Sequence, residues 1–204
     1  MFDRIIRWTL MAVFGFLLAS CATMSPEECK LADWAQIGQR DGMEGRTLAQ
    51  LSDRSADCAK VGVSVNSQAY NQGRDQGLRS YCRPDNALRV GLSGGFYGGV
   101  CPPESHPAFL SQYEAARYVY GLRNEVTTLD GRIDSLERRL RDLNRGEEKR
   151  LADATTDEQR KTVRKAIDDE RRDIRNELSE TDRRLRRKRD ELRSAEFSLS
   201  NLRF

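Results

Sequence analysis

Apolar positions follow three rhythms along the chain, and each predicts a different kind of element. From Trp8 to Leu18 they are nearly continuous, behind the charged residues Arg4 and Arg7. That run is too short to span a bilayer as a mature helix, and its charge and length are those of an export signal covering residues 1–20. From Pro26 the pattern becomes sparse and helical. Leu31, Trp34, Ile37 and Gly38 recur on one face and predict a helix from Pro26 to about Gly42, opened by the capping residues Ser25 and Glu28. Leu48, Leu51 and Cys58 mark a second, short helix. A third starts at Asn66-Ser67, carries Tyr70, Gly73, Gly77, Leu78 and Tyr81, and ends at Arg83-Pro84. Asp85 to Pro103 is the stretch richest in glycine and reads as an irregular, tightly packed segment before a helix through Phe109 and Tyr113.

The third rhythm begins at Leu122. Leu122, Val126, Leu129, Ile133, Leu136, Leu140 and Leu143 alternate steps of four and three, a heptad seam with charges at the other positions. It falters at Gly146 and resumes at Leu151 and Ala154. Thr155 with Glu158, or Thr156 with Gln159, offers a capping box for a new helix. A second seam then runs through Val163, Ile167, Ile174, Leu178, Leu185, Leu192, Ala195, Leu199 and Leu202. Two seams of similar length on either side of one turn predict an antiparallel coiled-coil hairpin, each arm reaching on the order of 65–70 Å at 1.5 Å per residue. Leu122 is then expected near Leu199, and Phe197 and Phe204 near Phe109 and Tyr113. The alternative is a continuous helix paired with a second copy, so the oligomeric state stays open at this point.

Glycine spacing adds a packing prediction. Gly38 and Gly42, and again Gly73 and Gly77, are four apart on one helical face. A glycine inside a helix costs about 1 kcal/mol against alanine, so each asks for a reason, and close approach of another backbone is the usual one.

Composition narrows the class. The chain has 204 residues, 33% charged and 7% aromatic, with a net charge of only +3. It is too polar for a membrane channel, and it suits one modest domain plus an extension. Five cysteines are present. Cys21 falls at the end of the signal, which leaves Cys29, Cys58, Cys82 and Cys101. An even number in an exported chain predicts two disulfides, here Cys29–Cys58 and Cys82–Cys101 by nearest-neighbour pairing among three connectivities. A structural zinc site would need closer paired spacing.

Leu18-Ala19-Ser20-Cys21 resembles the bacterial lipobox. The resemblance implies cleavage before Cys21, lipid on that cysteine, and an oxidising compartment beyond the cytoplasm. Ala22 stands where aspartate would imply inner-membrane retention, so the expected location is the outer membrane, facing the periplasm. Three further stretches carry a second resemblance: Asp33-Trp34 with Gly38, Asp41-Gly42 and Gly45; Tyr70 with Gly73, Gly77-Leu78 and Tyr81-Cys82; and Gly98-Gly99-Val100-Cys101-Pro102. Together they resemble a bacterial envelope lipoprotein family, the domain of unknown function numbered two thousand seven hundred and ninety-nine, over about residues 29–121. It implies an exported, mostly helical domain and brings no catalytic residue with it.

Candidate chemistry is thin. His106 is the only histidine and sits in a proline-rich loop, with no serine or cysteine and orienting acid arranged around it. Asp33 and Asp41 could share a helix face as the carboxylate pair of a hydrolase. The glycine-rich Gly91–Gly99 run lacks the residues of a phosphate loop. Trp34, Tyr70, Tyr81 and Tyr97 are candidate stacking residues for a polysaccharide, and better core residues beside glycines. The basic run Arg183–Arg189 reads as a solvated helical face, since nucleic acid is not a partner outside the cytoplasm. The expectation is therefore a mainly α protein: a signal at 1–20, a glycine- and cysteine-rich helical domain at 21–121, and a charged hairpin at 122–204. No enzyme activity, metal or cofactor is expected. Expected partners are the membrane, through lipid on Cys21, and another envelope protein or a wall polymer, through the arm.

Overall fold

A computed structural model describes residues 23–202. Seven helices form among these residues: α1 (Pro26–Leu31), α2 (Trp34–Met43), α3 (Ala49–Ala59), α4 (Ser67–Tyr81), α5 (Pro84–Leu92), α6 (His106–Ala152) and α7 (Asp157–Ser200). None is long and apolar enough to cross a membrane. The signal, Cys21 and Phe204 lie outside the described residues. The chain divides into two compact units. The first holds the residues through Tyr81 together with Gly98–Cys101, and the second holds Cys82–Tyr97 and the chain from Pro102 onward.

In the first unit, the helix expected from Pro26 to Gly42 is two helices. Ser25 and Glu28 form the expected capping box on α1. The helix then stops at Leu31, Ala32 turns extended, and the Asp33 carboxylate accepts the Gln36 N–H at 3.0 Å to start α2. A short acidic side chain that caps a new helix competes with continuing the old one. The break takes Leu31 off the core face, and it is 85% exposed. Trp34 and Gly38 stay buried, with Ile37 packed beside them. The core gathers Cys29, Trp34, Cys58 and Tyr70. A disulfide joins Cys29 of α1 to Cys58 of α3, with Cα atoms 5.4 Å apart. Cys82 and Cys101 are also disulfide-bonded.

Helices α2 and α4 cross on the four predicted glycines. A Cβ on Gly38 would run into the Tyr70 carbonyl, and one on Gly42 into the Arg74 carbonyl. From the other side, Gly73 faces the Ala35 carbonyl and Gly77 the Gln39 carbonyl. The two backbones touch, which no residue with a side chain would allow. Gly45, just past α2, has φ +66° and lies against the Tyr81 ring, so both its backbone and its missing Cβ are used.

In the second unit, Pro84 starts α5 where an irregular segment was expected. Ala87, Val90 and Gly91 supply a short helical stripe, and the dense glycines begin only at its end. Gly91 sits against Ala116 and the Tyr113 carbonyl of α6, a second glycine-mediated crossing. α6 passes straight through Gly121, and nothing crowds the site. A change in composition does not end a helix when the backbone hydrogen bonds can continue, so the division placed at 121/122 falls inside α6. Gly146 is crossed in the same way. The turn uses Thr156, whose hydroxyl accepts the Gln159 N–H while the Gln159 side chain reaches back to the Thr156 N–H.

Leu122, Leu129, Leu136 and Leu143 of α6 are buried, seven apart, as are Ile167, Ile174 and Thr181 of α7, with Leu185 buried one turn beyond. Leu136, Leu143, Ile167 and Ile174 form one cluster with Leu140, Val163 and Leu178. Ion pairs flank the seam: Arg123–Glu196, Asp130–Arg189, Arg132–Glu177, Arg139–Glu170 and Glu147–Arg171. From Arg123 to Glu147 along α6, the α7 partners run from Glu196 back to Glu170 and Arg171. Tyr118 of α6 shares a surface groove with Leu199 of α7. Phe197 is 72% exposed and does not join the buried Phe109.

Candidate functional site

Two polar groups are built into the first unit. Asp41 lies on the core stripe of α2 and is 2% exposed. It accepts the Tyr70 hydroxyl at 2.7 Å and takes both terminal nitrogens of Arg54 from α3. Burial, and then the bond to Asp41 and its charge, push the Tyr70 phenol well above its ordinary range. The cluster ties α2, α3 and α4 together around the glycine crossing. Asp41, half of the carboxylate pair considered from the sequence, lies in the last turn of α2 with both carboxylate oxygens occupied. Asp33 caps α2, and eight residues along a helix place the two carboxylates roughly 12 Å apart along its axis. A signal for Arg54 was present: Leu51, Arg54 and Cys58 share one helical stripe, and an arginine there asks for a buried acid.

The second polar group was not legible. Thr23, the first described residue, donates its N–H at 2.7 Å and its hydroxyl at 2.9 Å to Asp57 Oδ2 on α3. Lys60 donates to the other oxygen at 2.7 Å. These bonds, that from Lys60 first and those from Thr23 after it, hold the Asp57 carboxyl down at about 2. Beside Thr23 opens a groove of about 460 Å³, with Leu31, Asp33, Ile37, Arg40 and Asp41 among its walls.

In the second unit, the Tyr97 hydroxyl and His106 Nδ1 are 2.8 Å apart, and the Tyr97 ring packs on Phe109 and Tyr113. The Tyr113 hydroxyl donates to the Gly95 carbonyl at 3.0 Å. His106 therefore opens α6 and ties the glycine-rich segment to it. The four candidate stacking residues, Trp34, Tyr70, Tyr81 and Tyr97, are all buried. Tyr118 and Phe96 are the exposed aromatics near these positions. Along Arg183–Arg189, Arg186 pairs with Asp182, Lys188 with Glu125 and Glu191, and Arg189 with Asp130. Lys188 and Arg189 of that run thus pair across to α6, and Arg186 pairs within α7.

No curated protein and no solved structure matches the chain. One family model does, over residues 33–118, from the cap of α2 to the part of α6 that packs on α5. The matched stretch contains both glycine crossings, Asp41, Arg54 and Tyr70, and it stops before the leucine seam. Residues 33–118 of this chain are a copy of the domain described as Protein of unknown function (DUF2799).

Proposed function

We propose that this is a lipid-anchored protein of the bacterial outer membrane, with its lipid on Cys21 and a structural or adaptor role carried by an antiparallel coiled-coil hairpin of α6 and α7. The observation that carries this reading is how the long helices use their apolar residues. The leucines and isoleucines at seven-residue spacing are buried between α6 and α7, while the outer faces are almost wholly charged. Ion pairs within one chain, ordered oppositely along the two helices, support the hairpin over pairing with a second copy. Two long paired helices with charged outer faces offer a partner surface. Exposed ion pairs contribute about 0–1 kcal/mol each, so they serve register and solubility more than stability.

A polysaccharide-binding role would have to use exposed residues such as Tyr118 and Phe96 in place of the four buried aromatics. A hydrolase would have to free Asp41 from Arg54 and Tyr70. Neither has an observation in its favour. The test is photocrosslinking in the cell from the turn at Ala154–Gln159. Specific capture of an envelope protein or wall polymer is expected. If the arm-tip probe captures nothing while chains lacking α7 restore full function, the adaptor role is wrong.

A further inference from the structure

Thr23 makes two hydrogen bonds to Asp57 across 34 positions of sequence. Under the proposed cleavage before Cys21 it is the third residue of the mature chain, and the first residues of a domain are loose unless something ties them down. Here Asp57 is the tie, and α3 is fastened in turn by the Cys29–Cys58 disulfide one residue further on. Cys21 precedes Thr23 by two residues. Two residues span at most about 7 Å, so a lipid on Cys21 has almost no tether before the fold begins. Leu31 shares the groove that Thr23 lines, and it is the most exposed large hydrophobic residue described, at 85%. Lys30 stands exposed beside it.

We infer that the Thr23–Asp57 clasp turns the lipid anchor into a rigid mount, holding the face around Thr23 against the phospholipid headgroups with Leu31 inserted into the interface. The inference rests on the proposed lipidation of Cys21. It gives the break between α1 and α2 a purpose, since that break is what turns Leu31 outward. The occupant is a phospholipid surface because the acyl chains end two residues away and no protein partner is needed to bring it there. Asp57 keeps its charge through ordinary pH, so the mount holds wherever the envelope is near neutral.

The test uses the full lipidated chain, purified from membranes and reconstituted into vesicles of phosphatidylethanolamine and phosphatidylglycerol. An environment-sensitive fluorophore is placed at Leu31→Cys, with Lys165→Cys on α7 as the control. Emission at position 31 should shift to the blue on reconstitution, and that at position 165 should not. Asp57→Ala should abolish the shift while leaving vesicle binding and the Cys29–Cys58 disulfide intact. Ten Gly/Ser residues inserted between Ala22 and Thr23 should abolish it too, without touching the clasp. Failure of the parent chain to float with the vesicles would overturn the lipidation reading itself. Flotation with an aqueous signal at position 31, or an unchanged blue shift in both the clasp and spacer variants, would overturn the rigid mount.

Discussion

At the scale of single residues, the thirteen glycines with described surroundings do opposite things according to what stands opposite them. Gly38 and Gly73 face carbonyl oxygens of the partner helix, and a methyl would force packed backbones apart. Gly38→Ala and Gly73→Ala should each destabilise by about 1–3 kcal/mol, the usual cost of overpacking. Gly131 and Gly146 lie inside α6 with nothing near the missing Cβ. There alanine should stabilise by about 1 kcal/mol through helix propensity alone. Thermal melts of the four variants check both signs at once; a higher melting temperature for Gly38→Ala would refute the crossing. Asp57 makes a pH prediction. Its carboxyl is held at about 2 against an ordinary 3.8, so its contribution is fully present above that ordinary value and fades as pH falls from 3.8 towards 2. Amide exchange at Thr23 should therefore stay slow from pH 7 to about pH 4 after correction for intrinsic rates, and rise only below it. Protection lost already at pH 5 would mean that Asp57 does not hold Thr23.

At the scale of elements, the two long helices pose the sharpest question. The Arg123–Glu196 and Asp130–Arg189 pairs bracket Val126 on α6 and Leu192 on α7. Cysteines at those two positions should crosslink within one chain under mild oxidation, seen as a shifted monomer on a non-reducing gel. A single cysteine at 126 should give little dimer, and efficient dimerisation there would point to pairing between copies. The short elements teach a different lesson. Proline at position 84 reads equally as the end of α4 and the beginning of α5, and both readings are true of it. Asp33 could belong to a continuing helix or cap a new one, and the cap wins because its carboxylate meets the Gln36 N–H.

At the scale of the molecule, α6 belongs to two packings in succession, first with α5 at Gly91 and then with α7 along the leucine seam. This makes truncation informative. A chain ending at Gly121 removes most of the seam with α7 and should stay monomeric. A chain ending at Ala152 keeps Leu129, Leu136 and Leu143 with no α7 to cover them, each side chain worth roughly 1.5–3 kcal/mol when buried. It should self-associate on size exclusion. Both should retain Cys29–Cys58 in non-reducing peptide maps, since both cysteines lie in the first unit. A monomeric chain ending at Ala152 would show that the seam does not need a helical partner.

What the sequence by itself determined is what depends on spacing along one chain. The mainly helical class, the glycine faces, the two leucine seams and a capping box within Thr155–Gln159 are periodic or local, and periodicity survives without knowledge of neighbours. Cys29–Cys58 was one of three arithmetical options, and only the packing of α1 on α3 shows that pair at bonding distance. Tertiary structure alone decided the rest. Whether Asp41 is a reactive acid or a buried strut depends on Arg54 and Tyr70, which arrive from other helices. Whether Thr23 is held or free depends on Asp57, which lies 34 positions away. Polar groups are assigned their roles by the partner that satisfies them once water is gone, and a linear pattern does not carry the identity of a partner brought in by the fold.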